Sequence, residues 1–192
     1  MKKTLSANNL KILAIIAMTV DHTAFLFVDS HSMLYYFMRM FGRLTAPIMA
    51  FLLTEGYRHT RNKKKYLARL FIFAGISQPI YFQFVYGNMP VSKVDFFIHW
   101  NVLFTLALSL LVILLFDSQK IRNAPSLILL SILISLAHFG DWSYLIPAWT
   151  IIFFCFYKKD NRKMIVLFAL ASVTLQTLLY AKQYDSFALF SF

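Results

Sequence analysis

Apolar residues in this chain come in long runs broken by short polar clusters, without the strict alternation of barrel strands. A membrane span needs about 20 mostly apolar residues at about 1.5 Å rise per residue. Seven stretches approach that: Leu10–Val28, Leu34–Tyr57, Tyr66–Tyr86, Trp100–Phe116, Pro125–Phe139, Tyr144–Tyr157 and Met164–Tyr180. The fifth and sixth are short, which suits tilted or incomplete spans. The pattern predicts an all-α polytopic membrane protein, a single domain over residues 1–192 with about seven transmembrane helices. After Lys182 the sequence reads QYDSFALFSF, the opening of an eighth apolar segment that is cut short.

Basic residues orient the bundle. Lys2, Lys3 and Lys11 precede or open the first run. Arg58, Arg61, Lys63, Lys64, Lys65 and Arg69 lie between the second and third. Lys120 and Arg122 follow the fourth, and Lys158, Lys159, Arg162 and Lys163 follow the sixth. The alternate connections are nearly free of Lys and Arg: DSHSM and GDWS have none, and the 87–98 loop has Lys93 alone. Fifteen of the nineteen basic residues therefore fall on one side, which predicts a cytoplasmic N-terminus.

Composition agrees. The 192 residues are 59% hydrophobic and 14% charged, with 21 phenylalanines, against about 25% charged in a soluble domain. The formal net charge of +11 follows from the one-sided loops and needs no nucleic-acid partner. The basic segment RHTRNKKKY suits anionic lipids of the inner leaflet or a specific polyanion. The lone Cys155 excludes an intrachain disulfide, and the five histidines have no metal-ligand spacing, so no metal is expected. The opening MKKTLSANNLKILAIIAMTV has the charge pattern of a signal peptide. No small-residue cleavage site follows and the apolar run resumes after His22, so it reads as an uncleaved first span.

Ionisable groups inside the first two runs are the candidate chemistry: Asp21, His22, Arg39, Arg43 and Glu55. By helical rise Asp21 lies about 16 Å from the cytoplasmic end of the first span and Arg43 about 14 Å from the outer end of the second. The two levels nearly coincide in a core about 30 Å thick, so Asp21 and Arg43 are expected to pair across antiparallel helices. Gln78, about 18 Å along the third span, adds a polar group at the same depth. Helix neighbours do not face each other, so Asp21 is not expected to orient His22, which is left able to exchange a proton near neutral pH. Glu55 and His59 share a face at i, i+4, as do Arg39 and Arg43. Each group also has a structural reading: helix register for the Asp21–Arg43 pair, an interhelical donor for His22, a helix-end feature for Glu55 and His59. His99–Trp100 and Trp142–Tyr144 fit an outer aromatic belt.

The stretches LKILAIIAMTVDHTAFLF and RMFGRLTAPIMAFLLTEGYRHTRNKKKYLARLFIFAGISQPIYF resemble the opening of the TraX family, named for the conjugative-pilin acetylation protein. The Asp-His pair, the Gly-Arg-Leu-x-x-Pro stretch, the Glu-Gly-Tyr-x-His-Thr segment and the basic turn carry the likeness. NVLFTLAL and GDWSYLIPAWTIIFFCFY agree more loosely. What the resemblance implies is a bacterial inner-membrane acyltransferase that uses acetyl-CoA to acetylate a pilin-like N-terminal amine or an envelope acceptor. Family members run on through a further span with an Asn-Gly-x-Arg-Gly loop, beyond the last residue here. Under that reading His22 is the base, and Arg43 supported by Asp21 stabilises charge. Gln78, Arg39, Glu55 and His59 meet the substrates, and Arg58, Arg61, Lys63, Lys64, Lys65 and Arg69 hold the phosphates of CoA. The partners are then the lipid bilayer, acetyl-CoA and the acceptor. Two other classes fit the same charges: a small proton- or ion-coupled transporter, and a non-catalytic membrane assembly partner.

Overall fold

The computed structural model describes residues 6–87, 99–118, 123–157 and 159–174. These form helices and no strand. The helices are α1 (Ala7–Phe27), α2 (Met33–Gly42), α3 (Thr45–His59), α4 (Lys63–Tyr86), α5 (Val102–Asp117), α6 (Ala124–Leu136), α7 (Leu145–Phe156) and α8 (161–174). The chain divides into two compact units, Met1–Lys63 and Lys64–Phe192.

In the first unit α1 opens at Ser6, whose hydroxyl accepts the Asn9 N–H at 3.2 Å, an N-cap. Its 21 residues span about 31 Å, and it is the one described helix both long and apolar enough to cross a membrane. Ala14, Ala17 and Ala24 are buried, and Asp21 lies on the same stripe at helical spacing. The opposite face exposes Ile12, Ile15, Ile16, Leu26 and Phe27. Asp29 shapes the reversal: its carboxylate accepts the His31 N–H at 3.0 Å and its carbonyl the Ser32 hydroxyl at 2.8 Å. Ser32 then caps α2 by accepting the Tyr35 N–H at 3.1 Å.

The single span expected over Leu34–Tyr57 is two helices, interrupted at Arg43 and Leu44. Pro47 is the physical reason. It has no N–H to offer the carbonyl four residues earlier, that of Arg43, and its ring crowds that position. The Leu44 N–H turns instead to Phe41 O at 3.2 Å, and regular bonding resumes with Ile48 N–H to Leu44 O at 3.3 Å. Both helices pack on α1, α3 through Ala46, Ala50, Leu53, Thr54 and Tyr57. The Thr45 hydroxyl donates to Ala14 O at 3.4 Å, which with Asp21 opposite Arg39 sets an antiparallel register.

The second unit is organised on α5, where Thr105 to Leu110, Val112 and Ile113 are buried and α6 and α7 pack against it. Its N-terminus is tied to α4 by two carboxamides. Gln78 donates to His99 O at 2.6 Å and accepts the Asn101 N–H at 3.0 Å. Asn101 donates to Ala74 O at 2.8 Å while its side-chain oxygen accepts the Leu103 and Phe104 N–H groups at 3.0 and 3.3 Å. Trp100 bridges to the α6–α7 turn: its N–H donates to Phe139 O at 2.8 Å and its carbonyl accepts the Asp141 N–H at 2.9 Å. In that turn Trp142 and Ser143 hold left-handed backbone, φ 62° and 41°. Trp149 on α7 donates to Ser172 on α8 at 2.9 Å.

Helices α5, α6 and α7 have 16, 13 and 12 residues, so each is shorter than a full crossing. Of the seventh expected span, Met164–Tyr180, residues 164–174 are helical; its remainder, Lys93, Lys120, Arg122 and Lys158 lie outside the described residues.

Candidate functional site

Asp21 faces the helices that pack on α1, because its position continues the alanine stripe. Its Oδ2 accepts a hydrogen bond from Arg39 Nη1 at 2.6 Å. The partner is thus Arg39, where depth alone pointed to Arg43. A rise calculation locates a level along the axis but not the side of the helix. The chain reverses tightly at Asp29–Ser32, and the interruption at residues 43–44 ends α2 one turn beyond Arg39. Arg39 therefore meets Asp21 within regular helix, while Arg43 sits at the break and is exposed.

The pair is half-buried, with side-chain exposures of 27% for Arg39 and 22% for Asp21. The Arg39 guanidinium carbon also lies 5.9 Å from the ring centres of Phe25 and Tyr35, within cation–π range. The second oxygen, Oδ1, is buried without a hydrogen-bond partner. What encloses it is Gly42, whose missing side chain would occupy the space of Asp21 Cβ and Oδ1. Hence Asp21, Arg39 and Gly42 form one packed unit, an ion pair closed on one side by a bare backbone. His22, one residue on, is exposed, as the angular separation of helix neighbours requires.

A second group sits at the C-terminal end of α3. Glu55 lies 3.6 Å from Arg58 Nη1 and 3.5 Å from His59 Nε2. Its Oε1 is buried without a hydrogen bond, whereas the His59 side chain is 76% exposed. Helix geometry at i+3 and i+4 brings all three together. Beside them Lys63 donates to the Tyr57 hydroxyl at 2.6 Å, its ammonium 4.0 Å from the ring centre. Tyr57 was not singled out from the sequence. A buried tyrosine six residues before a lysine, across a turn, has no periodic signature.

The remaining candidates separate. Arg61 is exposed in the turn before α4, and Lys64, Lys65 and Arg69 are exposed on its first two turns. Gln78 is 5% exposed in the second unit, with both ends of its carboxamide engaged in the tie to residues 99–101. Sequence reasoning found Gln78 but not Asn101, which completes the tie from the second position of the fourth apolar run, where a polar residue marks nothing more than the edge of the run.

No solved structure matches this chain. It is 38% identical over 173 residues to the probable fimbrial assembly protein FimC, serogroup H1, of Dichelobacter nodosus, across 88% of this chain and 70% of that protein. The TraX protein family model matches residues 6–192 and so takes in α1, the Asp21–Arg39–Gly42 unit, the Glu55–His59 group and the whole second unit. The chain belongs to the TraX family.

Proposed function

We propose that this protein is a multi-span inner-membrane acyltransferase of pilus or envelope assembly, moving an acetyl group from acetyl-CoA to an amine. Family membership and the fimbrial assembly name of the Dichelobacter nodosus relative support the setting. The apolar exposed face of α1 and the one-sided distribution of basic residues support the membrane.

The observation that carries the chemistry is the arrangement of the first unit. A half-buried carboxylate holds Arg39 in place, and the adjacent histidine points elsewhere. Acyl transfer needs a base to take the proton from the attacking amine and a cation to stabilise the tetrahedral oxyanion before CoA leaves as thiolate. His22 fills the first role. Arg43, at the helix break one turn from the Asp21–Arg39 pair, fills the second, and the pair fixes the register that sets both. Glu55 steadies His59 and Arg58 at the other end of α3, where Arg58, Arg61 and Lys63 meet the phosphates of CoA.

A non-catalytic assembly role is the second reading, favoured by the relative's printed name. Membranes with and without the protein, incubated with isotope-labelled acetyl-CoA and analysed by mass spectrometry, separate the two. Label on a peptide amine that depends on the protein and falls at least tenfold in His22→Ala supports catalysis. Protein-independent labelling, or full labelling in His22→Ala, removes it.

A further inference from the structure

Helix α1 turns its polar side chains in two directions. Between the apolar stretches Ile12–Met18 and Ala24–Phe27 it carries Thr19, Asp21, His22 and Thr23. Asp21 meets Arg39 on the buried alanine stripe, whereas Thr19, His22 and Thr23 are exposed. At about 100° per residue Thr19 is the middle of the exposed three, with His22 about 60° to one side and Thr23 about 40° to the other. They lie within about 6 Å along the axis, on a face otherwise built of Ile12, Ile15, Ile16 and Leu26. A polar group gathered past the middle of an apolar span is costly in lipid and marks the path of a substrate.

The bonds of the two hydroxyls define what that group can bind. Thr19 Oγ1 donates to Ile15 O at 2.9 Å, and Thr23 Oγ1 donates to Thr19 O at 2.8 Å. A hydroxyl has one proton, so in each threonine it is spent on the helix backbone. Neither oxygen accepts a hydrogen bond among the described residues. The exposed face therefore offers two acceptors and no hydroxyl donor beside His22. It answers N–H groups, and it has nothing for a carbonyl or a phosphate.

We propose that Thr19 and Thr23 recognise the acceptor of acetyl transfer as a peptide N-terminus. Thr19 accepts an N–H of the terminal amine, next to His22 at i+3, and Thr23 accepts the N–H of the first peptide bond. Those two donors are about 3.5 Å apart in an extended chain, and threonines at i, i+4 carry their oxygens on Cβ atoms about 5–6 Å apart, so two slightly splayed bonds join them. A lone amine reaches one oxygen and leaves the other unanswered. The assignment rests on the acetyl-transfer reading above and names the residues that select its acceptor. In the transfer the amine nitrogen bonds to the acetyl carbon, the carbon–sulfur bond breaks and CoA leaves as thiolate. Of the two N–H protons on that nitrogen, one passes to His22 and the other remains on Thr19 as the amide N–H.

The test uses the full chain in a neutral detergent, saturating isotope-labelled acetyl-CoA and two synthetic acceptors: phenylalanyl-leucinamide, and its ester analogue with oxygen in place of the peptide N–H. Mass spectrometry reads acetylation of the amine. With the peptide, Thr19→Val and Thr23→Val should each raise the acceptor KM about fivefold, the worth of one ordinary hydrogen bond, while kcat of Thr23→Val stays within about twofold. With the ester, Thr19→Val should keep its effect and Thr23→Val lose it. Comparing two acceptors on one variant separates recognition from folding, since a folding defect weakens both equally. Thr19→Ser and Thr23→Ser keep the oxygen and should match wild type. So should Ser131→Ala, which removes a hydroxyl bonded to its helix in the same way on α6. An unchanged peptide KM in either valine variant, a Thr23→Val effect as large on the ester as on the peptide, or serine variants as weak as valine would overturn the assignment. No label on either acceptor with the wild-type chain sinks the acetyl-transfer reading and this inference with it. Labelling that ignores both valines sinks this inference alone.

Discussion

Gly42 lies against Asp21 so closely that any side chain at position 42 would occupy the place of the Asp21 carboxylate. The contact lets α2 approach α1 on the stripe that also holds Ala14, Ala17 and Ala24. It leaves the second oxygen of Asp21 without a hydrogen bond, so the bond from Arg39 is the one that answers this charge among the described residues.

Gly42→Ala should therefore destabilise the protein by about 1–3 kcal/mol, because overpacking must push the two helices apart or turn Asp21 off Arg39. Gly75→Ala is the control. A methyl at Gly75 meets nothing within 4 Å, so the better helix propensity of alanine should leave stability unchanged or raise it by up to about 1 kcal/mol. Denaturant unfolding of the solubilised chain distinguishes them, and equal effects would contradict the close approach at Gly42.

Arg39→Gln should cost more than Arg43→Gln. Removing Arg39 strands a half-buried carboxylate, a loss of about 2–4 kcal/mol where the insertion penalty of an unpaired charge applies. Double-mutant cycles with Asp21→Asn should give a coupling of about 1 kcal/mol or more for Arg39 and a smaller one for Arg43. A larger coupling to Arg43 would restore the pairing expected from depth alone.

Asn101→Ala removes the N-cap of α5 and the donor to Ala74 in one step, with an expected loss of about 2–3 kcal/mol. Asn101→Asp keeps the cap acceptor and loses the donor, so it should fall between alanine and wild type. If Asn101→Ala unfolds at the wild-type denaturant concentration, the tie between α4 and α5 carries no weight.

Asp160 caps the helix over 161–174. The backbone N–H of Lys163 donates to its carboxylate at 3.0 Å, and this bond first, with the Lys163 side chain and charge after it, holds the carboxyl below its ordinary range. The sign follows from linkage: stabilisation is complete above the unfolded carboxylate pKa and is lost as pH falls through the depressed folded value. The protection of amides at the start of α8, taken relative to their intrinsic exchange rates at each pH, should accordingly fall on acidification. Asp160→Asn, which keeps a cap without the charge, should flatten that dependence, and an unchanged pH response in this variant would contradict the assignment.

Helical content, the apolar runs and the separation of Asp21 from His22 were all legible in the primary structure, since each follows from spacing along one helix. Glu55 beside His59 was legible for the same reason. The partner of Asp21 was not. Axial depth matched Arg43 to within a turn, but Pro47 ends α2 at residue 42 and so decides which arginine stays on regular helix facing α1. Gly42 gave no sign of its role, because a close backbone approach depends on a residue 21 positions away. The sequence alone determined that this chain is helical, predominantly apolar and basic in the connections between certain apolar runs, because periodicity and charge are local quantities. Tertiary packing decided where the second helix breaks relative to its partner, which cation answers Asp21, and that Gln78 is spent on Asn101. Those outcomes turn on angular position and steric fit between segments far apart in the chain, and no local pattern encodes either.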